Sequence, residues 1–189
     1  MEDHILITRF MHGERSAFIE VYEMYFQDVY NFTAYSIGVT SCEDVTQEVF
    51  LKVYRKMESF KGKSSIKSWI FNIARRTTYD YHRKHKKCLN VDDYYNKLIT
   101  TITPEDVFEY KEDLEDVLRM LGSLKHEQRT AILLRRLHGF SIKETARIMG
   151  VKESKVKTLL HRGMKNLDKE VAKKISLECS PKGGVSKYE

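Results

Sequence analysis

Apolar side chains recur at spacings of three and four along most of the chain, the period of helices that turn one face into a core. Over 16–37 the stripe is Phe18, Val21, Tyr22, Tyr25, Val29 and Phe32, and Gly38 is placed to end that helix. Ser41 opens a second helix, with Asp44 three residues on in the spacing of a weak capping box. Its stripe is Val45, Val49, Val53 and Met57, flanked by Phe50 and Tyr54, while Asp44, Gln47, Glu48, Lys52 and Arg55 fall away from it. The polar, glycine-containing stretch 58–65 reads as a loop, and Ser64 or Ser65 can cap a helix running to about Lys84. In that helix Ile66, Trp69, Ile70, Ile73 and Thr77 share one face. Ser68, Asn72, Arg75, Tyr79 and His82 lie roughly opposite, with Arg76 and Arg83 on the flank.

Periodicity lapses over 86–103, where Asp92-Asp93, Asn96 and the Thr100–Pro104 run predict a linker. Thr103 and Pro104 fit the cap and first turn of a new helix with Val107, Leu114, Val117, Leu118 and Leu121 inward, broken by Gly122-Ser123. Leu124 to His138 reads as a strong helix with Ala131, Ile132, Leu134 and Leu137 inward, ended by Gly139. Ser141 and Glu144 then form a capping box at the head of a short helix, Ala146 offers the small residue a close crossing needs, and Gly150 supplies a turn. Another helix starts at Glu153, with Val156, Leu159, Leu160 and Leu167 inward. A short helix, a glycine turn and a basic second helix make the pattern of a helix-turn-helix. Beyond about 176, Pro181, Gly183 and Gly184 predict a disordered tail, and there is no internal repeat.

Composition narrows the class. With 41% hydrophobic and 32% charged residues, two Pro and nine Gly in 189 residues, wholesale disorder and a turn-dense β-sandwich are both disfavoured. No run of eighteen apolar residues is present, and the acidic start Met1-Glu2-Asp3-His4 is not followed by the apolar stretch of a secretory signal, so a cytoplasmic location is expected. Cys42, Cys88 and Cys179 are an odd, dispersed set without C-x-x-C spacing, which reads as reduced, incidental thiols. The net charge of +6 is unevenly spread. Between Lys61 and Lys87 there are nine Lys or Arg and one acid, Asp80; between Glu105 and Arg119 there are seven acids and two bases. From Gly122 to Lys174 the chain turns basic again, so two cationic blocks flank an acidic one and predict two surfaces for a polyanion.

No Walker loop, G-x-S-x-G or H-E-x-x-H occurs, and the Asp92-Asp93 pair has no partner His, so neither an enzyme nor a metal or cofactor site is expected. In the second helix of the turn motif, Lys155, Lys157, Thr158, His161 and Arg162 stand clear of the apolar stripe. Lys and Arg there supply phosphate contacts, and Arg, Lys and Thr can read base edges in a major groove. The face with Asn72, Arg75 and Tyr79 interleaves amide, cation and aromatic ring, a combination that suits unstacked bases, with Arg76 beside it. Before that helix, Lys61, Lys63 and Ser64 lie in a short loop able to wrap an extruded base. Trp69 reads as a core anchor, Tyr79 and Tyr81 equally as half-buried aromatics. On spacing alone the trio Asp44, Gln47 and Glu48 is a solvated helix face.

Four segments in order resemble bacterial sigma factors of the extracytoplasmic-function type, group 4. They are Ala17-Phe18 through Phe32; the run Cys42-Glu-Asp-Val-Thr-Gln-Glu-Val-Phe-Leu51; Ile66-Lys-Ser-Trp-Ile-Phe-Asn-Ile-Ala-Arg75 with Asp80 following; and Ala131 to Leu167 with its helix-turn-helix. The resemblance covers about 1–170. It implies an all-α protein of two small helical domains: a region 2 bundle over 1–87, a flexible linker over 88–103, a region 4 helix-turn-helix domain over 104–176, and a tail over 177–189. By the same resemblance the first domain binds core RNA polymerase and melts the promoter's minus-10 element, and the second reads the minus-35 element. Gln47 and Glu48, with Asp44 beside them, become the polymerase-facing set, and Arg135 joins the minus-35 contacts. An anti-sigma factor is an implied partner, acting on two domains held apart only by the linker. Lys152 departs from the Ser or Pro common before the family's recognition helix, and His161 replaces an aromatic seen in some members. A stand-alone helix-turn-helix regulator is the alternative, but it leaves the basic-aromatic first domain without a role.

Overall fold

The computed structural model describes residues 2–85 and 111–178, which contain helices and no strand. The elements are α1 (Glu2–Met11), α2 (Ser16–Ile37), α3 (Cys42–Lys56), α4 (Ile66–His85), α5 (Lys111–Ser123), α6 (His126–Ile132), α7 (Ile142–Met149) and α8 (Glu153–Glu178). The linker expected over 88–103, the Thr103-Pro104 helix start, Cys88 and Cys179 lie outside the described residues.

Helices α2, α3 and α4 pack on one another as the first bundle, with Val21, Val29, Phe32, Val49, Val53, Ile66 and Ile70 fully buried between them. Gly38 ends α2 at φ 98°, its N–H donating to the carbonyl of Ala34. Helix α1 is an addition to the sequence reading. Its apolar contribution to the core is only Leu6, Ile7 and Phe10, too short a stripe to stand out as a period. Polar contacts hold it down: Arg9 forks between Glu14 and Glu20, donating through Nη1 to Glu20 at 2.9 Å and through Nε to Glu14 at 2.9 Å. The same guanidinium holds the Glu14 carboxyl down at about 2.

The capping box expected at Ser41 does not form. A 3-10 turn, Val39–Ser41, leads into α3 and leaves Ser41 at ψ 2°, not the extended ψ that aims a cap oxygen at the helix N–H groups. Its hydroxyl instead accepts from the Tyr81 hydroxyl at 2.6 Å, tying α3 to α4. At the head of α4 it is Ser65 that caps, accepting from the Ser68 N–H at 3.2 Å.

The expected helix over 124–138 starts at His126 and changes pitch. Leu133–Leu137 is a π turn, closed by the His138 N–H donating to the Leu133 carbonyl five residues back at 3.1 Å. The wider turn carries His138 and Phe140 inward, both buried. Helix α8 crosses α6 at Gly163, where a Cβ would meet the Ile132 Cδ1 at 2.8 Å. It continues through 177 and 178, which the sequence assigned to the tail; 179–189 lie outside the described residues.

The two helical domains are not held apart. Helix α7 packs against α4, and α6 touches α2, so one apolar core runs through both. Phe71 of α4 sits edge-on to Phe140 at 5.0 Å and to Phe32 at 5.5 Å, with the His138 ring 4.6 Å away. The Arg129 guanidinium crosses the seam, donating at 2.8 Å to the carbonyl of Ser36 and at 2.8 Å to that of Leu121.

Candidate nucleic-acid and polymerase interfaces

The helix-turn-helix is built as its sequence requires. Ser141 and Glu144 cap reciprocally: the Glu144 N–H donates to the Ser141 Oγ at 3.1 Å, and the Ser141 N–H donates to the Glu144 carboxylate at 2.8 Å. That bonding lowers the Glu144 pKa from its ordinary value. Gly150 takes the left-handed conformation, φ 67°, that turns α7 into α8. Ala146, Ile148, Val156 and Leu159 are buried beneath, and Lys157, Thr158, His161 and Arg162 are exposed on α8. Thr158 keeps its hydroxyl proton on the Ser154 carbonyl at 3.0 Å, which leaves the oxygen's acceptor side outward. Lys155 is exposed but paired with Glu127 at 3.1 Å. Arg135 is set back from this row, half-buried, and donates to the Phe140 carbonyl.

In the first domain the α4 face divides in two. Lys61 and Lys63 in the preceding loop, and Arg76 and Tyr79 on α4, are exposed; Ser64 is half-covered. Asn72 and Arg75 are half-buried, because the face expected to be open to solvent lies under the second domain. The Asn72 amide donates to the Ile148 carbonyl at 3.3 Å. The Arg75 Nε is buried with no hydrogen bond, and burial, then Arg76, push this guanidinium's pKa down. Tyr79 lies edge-on to His126 at 5.7 Å. Trp69 packs half-buried against Phe60, ring centroids 5.2 Å apart, in the core-anchor role read from its position.

On α3, Asp44, Gln47 and Glu48 form an exposed polar edge, with Glu48 paired to Lys52 at 2.7 Å. The residues that sequence reasoning passed over are His126, half-buried, and His138, buried, where the domains meet. His138 follows Leu134 by one helical turn and so falls on the inward face, the one signal that placed it. Among the described residues no His, Cys, Asp and Glu cluster has the form of a metal site, and no helix is long and apolar enough to cross a membrane.

Two family models match, in the order of the two domains: sigma-70 region 2 over residues 21–88 and sigma-70 region 4 over residues 114–167. A bundle of the first kind followed by a helix-turn-helix of the second defines the sigma-70 class. The chain is 34% identical to the ECF RNA polymerase sigma factor SigX of Bacillus subtilis over 158 residues, 80% of this chain and 81% of that one. To ECF sigma factor SigM of the same organism it is 33% identical over 155 residues, 78% of this chain and 91% of that one. Among solved structures, the sigma factor RpoE of Bartonella quintana, in complex with the anti-sigma factor NepR, superposes with a TM-score of 0.68 at 26% identity, covering 82% of this chain and 96% of that one. The chain belongs to the extracytoplasmic-function family of RNA polymerase sigma factors.

Proposed function

We propose that this chain is the dissociable subunit that gives core RNA polymerase its promoter choice, binding core through α3 and reading two promoter elements with its two domains. The carrying observation is the ordered pair of region 2 and region 4 matches, with Lys157, Thr158, His161 and Arg162 exposed on α8 and a cationic loop and helix in the first domain. In this reading Lys157, Thr158, His161 and Arg162, supported by Lys155 and Arg135, take duplex DNA at the minus-35 element. Lys61, Lys63, Ser64, Asn72, Arg75, Arg76 and Tyr79 follow the opened minus-10 strand, and Asp44, Gln47 and Glu48 pair with cations on the polymerase. Residues 1–87 and 104–176 are the working units and 88–103 the tether between them. The chain works in the cytoplasm, where the polymerase and the chromosome are.

Melting needs no nucleotide hydrolysis here; it is driven by binding to the opened strand. The solved RpoE complex supports sequestration by an anti-sigma protein as the control of such a factor. A stand-alone regulator is disfavoured, since it has no use for a region 2 domain. Run-off transcription with core polymerase on promoter libraries, with permanganate footprinting of the start region, tests the reading. Promoter-dependent transcripts and thymine reactivity that require this chain are expected. Equal promoter opening by a Lys63→Ala, Arg75→Ala, Tyr79→Ala triple variant overturns the strand assignment.

A further inference from the structure

The exposed polar edge of α3 is braced from α4. The Lys52 Nζ lies 2.7 Å from the Glu48 Oε1, one helical turn back on α3, and donates at 3.1 Å to the Thr77 Oγ1 on α4. Thr77 is buried, at 2% exposure, and gives its own hydroxyl proton to the Ile73 carbonyl at 3.0 Å. Its oxygen is thereby left as an acceptor, and an ammonium, which only donates, is the group that fits it. The bonds run unbroken from the backbone of α4 through Thr77 and Lys52 to the Glu48 carboxylate, and they emerge at the surface: the Lys52 side chain is 34% exposed and that of Glu48 55%.

An ion pair of this i, i+4 kind on an open helix face does little for stability, because two long side chains must be held in one geometry in water. Here the lysine is already held. Its ammonium is fixed by a hydroxyl buried on a second helix, so the carboxylate it engages is fixed as well. Lys52 takes one carboxylate oxygen, and a carboxylate has another to offer to a partner.

We propose that Lys52 is a positioning residue for polymerase binding, holding the Glu48 carboxylate ready in the orientation that meets a cation of the core enzyme. The inference rests on the reading of Glu48 as polymerase-facing. Without the brace Glu48 has to be ordered as the complex forms, and ordering one long side chain lowers affinity about two- to tenfold. Charge alone argues the opposite sign. Lys52 is a cation beside a carboxylate that attracts cations, so a lysine with no positioning role would oppose the polymerase, and its removal would tighten binding.

The test measures affinity of the full chain for core polymerase by competition, with the denaturant unfolding midpoint as the control for folding. Lys52→Met keeps the apolar stem and loses the ammonium, and should bind core about fivefold more weakly. Lys52→Arg keeps a cationic donor and should restore binding to within about twofold of wild type. In a Glu48→Ala background, with no carboxylate to position, adding Lys52→Met should change affinity by less than about twofold. Thr77→Val removes the anchor without touching α3 and should weaken core binding as Lys52→Met does; if it does not fold, the Lys52 and Glu48 variants decide alone. Core binding by Lys52→Met that equals or exceeds wild type overturns the positioning, and so does wild-type binding by a folded Thr77→Val chain. Equal losses from Lys52→Met with and without Glu48 mean that Lys52 meets the polymerase directly, which overturns the positioning and spares α3 as the interface. Wild-type core binding by Glu48→Ala overturns the reading of Glu48, and the positioning with it.

Discussion

The side-chain amide of Asn72 donates to the backbone carbonyl of Ile148, 76 residues further along the chain, at 3.3 Å. The bond joins α4 of the first domain to α7 of the second, so the Asn72 amide is engaged within the chain.

Arg162 is exposed on α8 beside Lys157, Thr158 and His161. Arg162→Ala should lower affinity for duplex minus-35 DNA by about 1–3 kcal/mol and relax sequence preference at one position, while core binding is unchanged. Titration at fixed salt checks this; unaltered affinity and preference would remove Arg162 from the contact set.

Gln47 and Glu48 are exposed on α3, and the Glu48–Lys52 pair beside them is a surface ion pair worth about 0–1 kcal/mol. The double variant Gln47→Ala, Glu48→Ala should therefore keep its fold and its minus-35 affinity while losing core polymerase in a pull-down or competition assay. Normal core binding by the double variant places the interface elsewhere.

The helix-turn-helix was legible because local chemistry decides it. The Ser141–Glu144 box, Gly150 and the Val156–Leu159 stripe each work within a few residues, and all appear where their pattern puts them. Ser41–Asp44 has the same spacing and no cap, because a preceding 3-10 turn and Tyr81 on a distant helix take the serine elsewhere. The α4 face failed for a related reason. Asn72 and Arg75 are polar at helical spacing, which says solvent, and nothing local records that a second domain lies over them, while Tyr79 on the same face is exposed. For this face the sequence supplied residue types, and the seam between the domains is tertiary information.

Gly163 sits where α8 crosses α6, close beneath Ile132. A Cβ there meets the Ile132 Cδ1 at 2.8 Å and the Gln128 Cβ at 3.4 Å. Alanine asks only the end of Ile132 to move and recovers helix propensity, so Gly163→Ala should be near neutral. Gly163→Val adds branches at the same point and should destabilise the second domain by about 1–3 kcal/mol, measured by denaturant unfolding. A valine variant as stable as wild type would mean that the crossing is looser than the distances state.

Acid should open the seam through His138. The ring lies between Phe32, at 5.9 Å, and Phe71, at 4.6 Å, and neither nitrogen makes a hydrogen bond. Burial is the main cause of a pKa pushed down to about 4; Asp28 on α2 opposes it and Lys67 on α4 assists it. His126, facing His82 and Arg75 of α4 with Arg129 on its own helix, is pushed down to about 3, again chiefly by burial. With the domains apart, both rings return toward the ordinary value near 6.5. The closed form thus binds fewer protons than the open form between those limits, so closure is fully favoured above about pH 6.5 and weakens as pH falls toward 4. For His138 the whole span corresponds to a ceiling of about 3 kcal/mol, most of it already reached at the acid end of that window. A fluorescence pair with one dye on each domain should report separation on acidification of the wild-type chain. His138→Phe keeps an aromatic ring against Phe32 and Phe71 and cannot take a proton, so its transition should shift to lower pH and shrink to the His126 contribution. The same curve for both proteins would show that His138 is not the group that acid acts on.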